Sequence, residues 1–302
     1  MHLHGPSGAD SLDPCACGET LAIFFLNMRE SMKNTNFFCL TLLAMLLAMP
    51  AIAQDIPDAK TVIEKNIKAI GGRAKLESIK SAHYQGGMVM PGGPAGDMEG
   101  EVEIFQLKNK FLMATNISTP QGKMEIKQGT DGETLWSIQP PTGKPQIVEG
   151  DQAAAAKEMY GQVFPSLSWL KYDGEVKNEG IAKAAGKECY KLMFTPKKGT
   201  KITRYFDKET GHLLKVSTKQ KNPMMGEIEI SYIHEDYKEV DGIMVSHKQV
   251  TDMGVAQIEI EMEKIEFNKD IDAKKFELPE SVKAMVDEKK EAEMEKEKAG
   301  GV

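Results

Sequence analysis

Four histidines, His83, His212, His234 and His247, and one cysteine, Cys189, are the side chains after residue 54 best suited to bind a metal or start nucleophilic chemistry. They are spread singly along the chain. A zinc site needs His, Cys or carboxylate ligands at short fixed spacings, as in HExxH or paired CxxC, and neither pattern occurs. The glycines of MPGGPAGDMEG (90–100) match neither a phosphate loop nor a dinucleotide fingerprint, and there is no G-x-S-x-G elbow. His234-Glu235-Asp236-Tyr237 comes nearest to an acid–base pair or metal half-site, and it reads as the polar end of a strand. Cys189, inside CYKLMF, reads as a small buried residue rather than a reactive thiol. The expectation is a protein that is not an enzyme, with no catalytic residues, no metal and no cofactor.

The charge balance narrows the partners. The chain has 302 residues, 41% hydrophobic and 27% charged, with a formal net charge of −7. Phosphate backbones are bound by clustered Lys and Arg, so an acidic chain whose arginines are Arg29, Arg73 and Arg204 argues against nucleic acid. Nineteen methionines against eleven phenylalanines and two tryptophans give the chain many flexible, polarizable apolar side chains.

The N-terminal part reads as a targeting segment. Met32 and Lys33 precede an apolar run from Phe37 to Ala48, too short to span a bilayer at the ~18–20 residues required. Ala51-Ile52-Ala53 supplies small residues at −3 and −1, which places signal cleavage between Ala53 and Gln54. Residues 32–53 are thus a signal peptide, and residues 1–31 an upstream extension ahead of a start at Met28 or Met32. Gln54 stands where a lipoprotein needs Cys. A periplasmic or secreted protein without lipid anchor or transmembrane helix is expected, with one domain over 54–280 and a charged tail over 281–302.

The elements that would hold a site follow from periodicity. Val62, Ile63, Ile67 and Ile70 recur at helical spacing and Gly71-Gly72 ends the run. A second short helix covers Arg73 to Ile79. After Ser81 the period becomes two, and about ten runs of alternating residues separated by turn sequences predict an antiparallel meander. The Ala-rich stretch Asp151–Leu170 predicts a helix crossing the apolar face, broken near Pro165. Asp287–Lys298 predicts a solvated helix or a disordered segment. The fold class expected is mainly β with a few helices (α+β), a curled antiparallel sheet or unclosed β-barrel under a helical lid.

Such a sheet offers a concave apolar face. The residues expected to line it for ligand binding are Met88, Met90, Val102, Ile104, Trp136, Ile138, Ile228, Ile230, Tyr232, Ile258, Ile260 and Met262, with Ile63, Ile67 and Ile70 as the lid. Trp136 and Ile138 are expected to share a wall with Ile258, Ile260 and Met262. The leading functional expectation is a periplasmic carrier or sensor of a lipid-like ligand in that half-barrel. The rival is a cell-envelope structural or assembly protein with a filled core and a protein partner. No nucleic acid partner is expected, and a transient contact with a membrane surface is compatible with either.

The order of signal peptide, VIEKNIKAIGG (62–72), RAKLESIKS (73–81), long meander, YFDKETGHLLKV (205–216), YKEVDGIMVSH (237–247) and IEFNKDIDAKKFELP (265–279) is similar to that of secreted proteins of Bacteroidetes-type bacteria grouped with the outer-membrane lipoprotein-sorting (LolA-like) proteins. The resemblance covers about Ile56 to Pro279. It implies an unclosed β-barrel with a helical lid, an apolar pocket for a lipid or lipoprotein acyl chain, no covalent chemistry and no cofactor.

Overall fold

The computed structural model describes residues 56–302 apart from 94–95, 120–121, 140–142, 198, 223–225 and 301–302. The upstream extension, the signal segment and the cleavage pair Ala53 and Gln54 lie outside those residues.

Helix α1 (Ala59–Ala69) starts at Asp58, whose carboxylate accepts from the Thr61 N–H at 2.7 Å, and ends where Gly72 N–H reaches back to the Ile67 carbonyl. A Cβ on Gly71 would lie 2.9 Å from the Gly242 carbonyl oxygen, and its φ is +129°, so only glycine lets the helix end press against that turn. Helix α2 (Arg73–Ser78) follows at once.

The strands are β1 Ser81–Gly93, β2 Gly96–Leu107, β3 Lys110–Thr119, β4 Gly122–Thr130, β5 Leu135–Ile138, β6 Pro145–Val148, β7 Gly174–Ala184, β8 Lys187–Pro196, β9 Ile202–Asp207, β10 Leu213–Asn222, β11 Gly226–Val240, β12 Ile243–Asp252 and β13 Gln257–Phe267. They form one antiparallel sheet in the order β6-β5-β4-β3-β2-β1-β13-β12-β11-β10-β9-β8-β7. Three more strands are present than the sequence patterning resolves. Among the described residues β6 and β7 are opposite edges that do not pair, so the sheet is curled and unclosed.

Because β6 and β7 are consecutive in sequence but at opposite edges, the segment joining them has to cross the sheet. It does so as α3 (Gly150–Tyr160) and α4 (Ser166–Trp169), with the break before Pro165 as the sequence suggests. Tyr160 stacks on Phe111 of β3 with ring centroids 3.9 Å apart, and Trp169 meets Phe194 of β8 and Phe206 of β9 edge-on. The crossing therefore runs over the inner face.

The other face is covered at one side by the end of the chain. After β13 a 3-10 turn (Ala273–Phe276) and helix α5 (Glu280–Gly300) follow. Phe276 and Val282 are buried, and Lys275 sits 4.0 Å over the ring of Phe105. The helix begins within one residue of the expected tail and is solvated over Asp287–Glu295, while Val282 ties its first turn to the fold.

Strand register decides which side chains share a face. His234, Gln249, Ile260, Met88, Gly100, Ile117 and Met124 are successive partners across β11, β12, β13, β1, β2, β3 and β4, and they point inward. Glu266, His83, Phe105, Leu112, Gly129, Trp136 and Ile147 form a row on the outer face. The seam between β1 and β13 carries a bulge at Gln85/Gly86, and a Cβ on Gly86 would fall 2.0 Å from the Glu261 carbonyl oxygen.

Candidate ligand-binding face

The inner face has two ends. At one, α1, α2, α4 and the α3–α4 connection fill the curl: Val62, Ile63, Ile67, Ile70, Leu76, Val163, Phe164 and Trp169 form one buried cluster with Leu192, Phe194, Phe206, Ile243, Ile265 and Phe267 of the strands. Asn66 Nδ2 donates to the Gly211 carbonyl at 2.8 Å and fixes α1 on the β9–β10 turn. Ile63, Ile67 and Ile70, the stripe expected to form the lid, are 2%, 4% and 9% exposed. The stripe packs down on strand side chains, while Lys60 and Glu64 on the other face of α1 are exposed.

At the other end a second cluster is made by strand residues alone among the described residues. Met88, Val102 and Ile117 are buried, and Met98, Ile104, Met113, Met124, Ile126, Ile258 and Ile260 pack on them half-buried. Met90 is opposite Met98 on the same face. This is an apolar wall that no helix residue of the cluster covers. Strands stand about 4.8 Å apart, so the wall from β13 across β1 to β4 extends roughly 19 Å, the length of a long alkyl chain.

The facing side of the curl is more polar. Ile228, Ile230 and Tyr232 point inward from β11, next to Gln220, Thr218 and Val216 of β10 and, for Tyr232, Thr251 of β12. Burial pushes the His234 imidazole down to about 4, so it is neutral at pH 7. Burial pushes the phenols of Tyr160 and Tyr232 up, with Tyr232 adding to the shift at Tyr160, which leaves both as neutral hydrogen-bonding groups at pH 7.

Arg204 stands between the two ends. It is 6% exposed, lies 4.1 Å over Phe194 and 4.7 Å over Trp169, and donates from Nη2 to Glu158 Oε1 of α3 at 2.6 Å. Burial lowers the pKa of the Arg204 guanidinium, and the Glu158 carboxylate opposes that shift. Arg204 Nη1 and Trp169 Nε1 are buried without a hydrogen-bond partner among the described residues. Two donors are thus available beside the ion pair for an acceptor oxygen.

Of the residues singled out from sequence, the structure puts Met88, Met90, Val102, Ile104, Ile258, Ile260 and Met262 on one inner wall and Ile228, Ile230 and Tyr232 on the other, with Met262 packed against the filled end. Trp136 and Ile138 are on the opposite face. Their β4 partners are Gly129 and Lys127, whose own β3 partners Leu112 and Ala114 continue the outer rows, so they share no wall with Ile258. Trp136 is 3% exposed in the row of Phe105, the ring under Lys275 of the 3-10 turn. Alternation missed Met98, Met113, Ile117, Glu158 and Tyr160; Met124 and Ile126 carried the signal and extend the same wall. Cys189 is buried, and desolvation raises its thiol to about 11, as its apolar surroundings suggest. Among the described residues no cluster of His, Cys, Asp and Glu is arranged to hold a metal.

No family model and no curated protein matches the chain. Among solved structures it is similar to a LolA superfamily protein from Nitrosomonas europaea, at 11% identity over 74% of this chain and 98% of that one, with a TM-score of 0.50. The fold is LolA-like. A DUF1329 family protein from Desulfovibrio piger aligns at 12% identity over 72% of this chain and 96% of its own, with a TM-score of 0.49. A protein described as an outer-membrane lipoprotein-sorting domain, from Vibrio parahaemolyticus, aligns at 12% identity over 72% and 97%, with a TM-score of 0.47. No described helix is long and apolar enough to cross a membrane.

Proposed function

We propose that this protein is a non-catalytic carrier or sensor of a lipid-like ligand, with the acyl chain of a lipoprotein as one such ligand. The observation that carries the reading is the half-buried wall of Met88, Met98, Met113, Met124, Ile258 and Ile260 at the unfilled end of the inner face. Methionine adapts to ligands of varied shape, and each methylene laid on such a wall contributes about 0.8 kcal/mol. The facing groups, Tyr232, His234, Gln249 and Thr251, are uncharged at neutral pH or hydrogen-bond without charge, so the part of the ligand entering the curl is neutral. An ester or amide carbonyl suits the unpaired donors of Arg204 and Trp169.

In this reading residues 32–53 are removed after Ala53 and the chain works in the periplasm or outside the cell, as secreted relatives of Bacteroidetes type would. Residues 54–280 form the binding domain and 281–302 an outer tail. A brief contact with a membrane surface would deliver the ligand.

The filled end favours the second reading, an envelope assembly protein that binds a protein partner, because there helix and strand side chains are packed into one buried cluster. Native mass spectrometry of the protein purified from its own compartment separates the two. Co-purified lipid, lost in a Met98→Ser/Met124→Ser variant that still folds, supports the carrier. A lipid-free mass with a stoichiometric protein partner overturns it.

A further inference from the structure

A groove of about 480 Å³ opens at the filled end, away from the methionine wall. Its floor is Leu76 of α2 and Ile79 just after it, and its sides are Leu107 at the end of β2, Val163 and Phe164 of the α3–α4 connection and Leu167 of α4. The walls are fixed: Gln106 Nε2 donates to the Gln162 carbonyl at 3.0 Å, and Leu76 and Ile79 are core residues. Its size is that of small-ligand sites, about 300–1,000 Å³.

The rim is cationic in an otherwise acidic chain. Lys80, Lys108 and Lys110 border the groove with one acid, Glu77, whose carboxylate is 3.7 Å from Arg73. Lys80 donates to the Glu77 main-chain carbonyl, and the ammonium groups of Lys108 and Lys110 have no partner among the described residues. Lysines act as mobile point charges that accept a carboxylate or a phosphate without bidentate geometry.

We infer that this groove binds a single-chain anionic amphiphile, its alkyl chain on Leu76, Ile79 and Phe164 and its head group between Lys108 and Lys110. The site shares no residue with the methionine wall, and it stands whether or not lipid binds on that wall.

The test uses the full chain and three probes titrated by calorimetry at low salt: dodecanoate, dodecyl phosphate and dodecanol. Both anions should bind, dodecanol at least about tenfold more weakly, and decanoate about sixteenfold more weakly than dodecanoate, since each of the two methylenes is worth about fourfold. Raising salt should weaken the anions alone. Lys108→Gln/Lys110→Gln, two surface changes that should not alter melting, should cost the anions about tenfold and leave dodecanol unchanged. Met98→Ser should leave the salt-dependent binding of the two anions unchanged, whatever it does to a neutral probe on the inner face. Equal binding of dodecanol and the anions, an unchanged anion affinity in the double glutamine variant, or salt-dependent anion binding that instead follows Met98→Ser would each overturn the assignment.

Discussion

The two ends of the inner face are built from the same strands and the same alternation, yet one is a core and the other a surface. At the filled end every inward side chain meets a helix, and Phe194, Phe206, Leu192 and Ile243 have no exposure. At the open end inward side chains meet one another, and most stay half-buried. The strands are continuous between the two, so the difference comes from the helices. Stability and binding are thereby assigned to different ends of one sheet, and substitutions should separate them.

The sharpest contrast is in packing. Phe206→Ala should lower unfolding free energy by about 3–5 kcal/mol, because the helices and strands around it cannot collapse into the space. Chemical denaturation reads this directly; a loss under about 1 kcal/mol would mean the filled end is loosely packed. Next is the boundary between the ends. Glu158→Ala leaves Arg204 buried and unpaired, at a cost of about 3 kcal/mol, and Arg204→Met with Glu158→Leu should recover most of it. Failure of the double variant to recover would show that the pair, rather than its burial, is what the crossing segment needs.

A smaller effect should appear with pH. His234 titrates near 4 in the folded chain and near 6.5 when unfolded, so the unfolded state takes up the proton first as pH falls. Its contribution is complete above about pH 6.5, declines through the window down to about 4, and is level below that, with a span of about 3 kcal/mol, of which about 2 falls between about pH 7 and about pH 4.5. Urea unfolding at pH 7 and pH 4.5 should show this difference in the wild type and lose it in His234→Gln. The smallest stability change belongs to the open end: Met98→Ser should cost under about 1 kcal/mol, while a fluorescent fatty acyl ester bound on the inner face should weaken several-fold. Equal melting losses for Met98→Ser and Phe206→Ala would erase the distinction between the ends.

The sequence carries the architecture well, and the reasons it misses particular residues are physical. Alternation shows that Trp136 and Ile138 share a face. It does not show which face, because the outer side of this part of the sheet is itself covered by the C-terminal turn, and Ser137, on the inner side, is buried too. The helical stripe Ile63, Ile67 and Ile70 announces an apolar partner without revealing which strand residues it packs on. Met98 follows a glycine-rich turn that hides the period, and its place opposite Met90 depends on hairpin register. Glu158 and Arg204 are 46 residues apart and meet only because the crossing segment must link two distant edges.

The β1–β13 seam has a consequence for how the chain acquires this shape. Ala82 pairs with Phe267, so the six strands β1–β6 and the six strands β7–β12 are joined through the last strand to emerge during synthesis. Loop closure over some 185 residues costs entropy before any pairing is gained, and such non-local topology folds slowly. A nascent chain ending before Gln257 therefore carries two unjoined half-sheets, with β1 and β12 as open edges. Completion is a single late event, in which β13 slots between them, Gly86 accepts the close approach of Glu261, and the 3-10 turn then closes over Phe105.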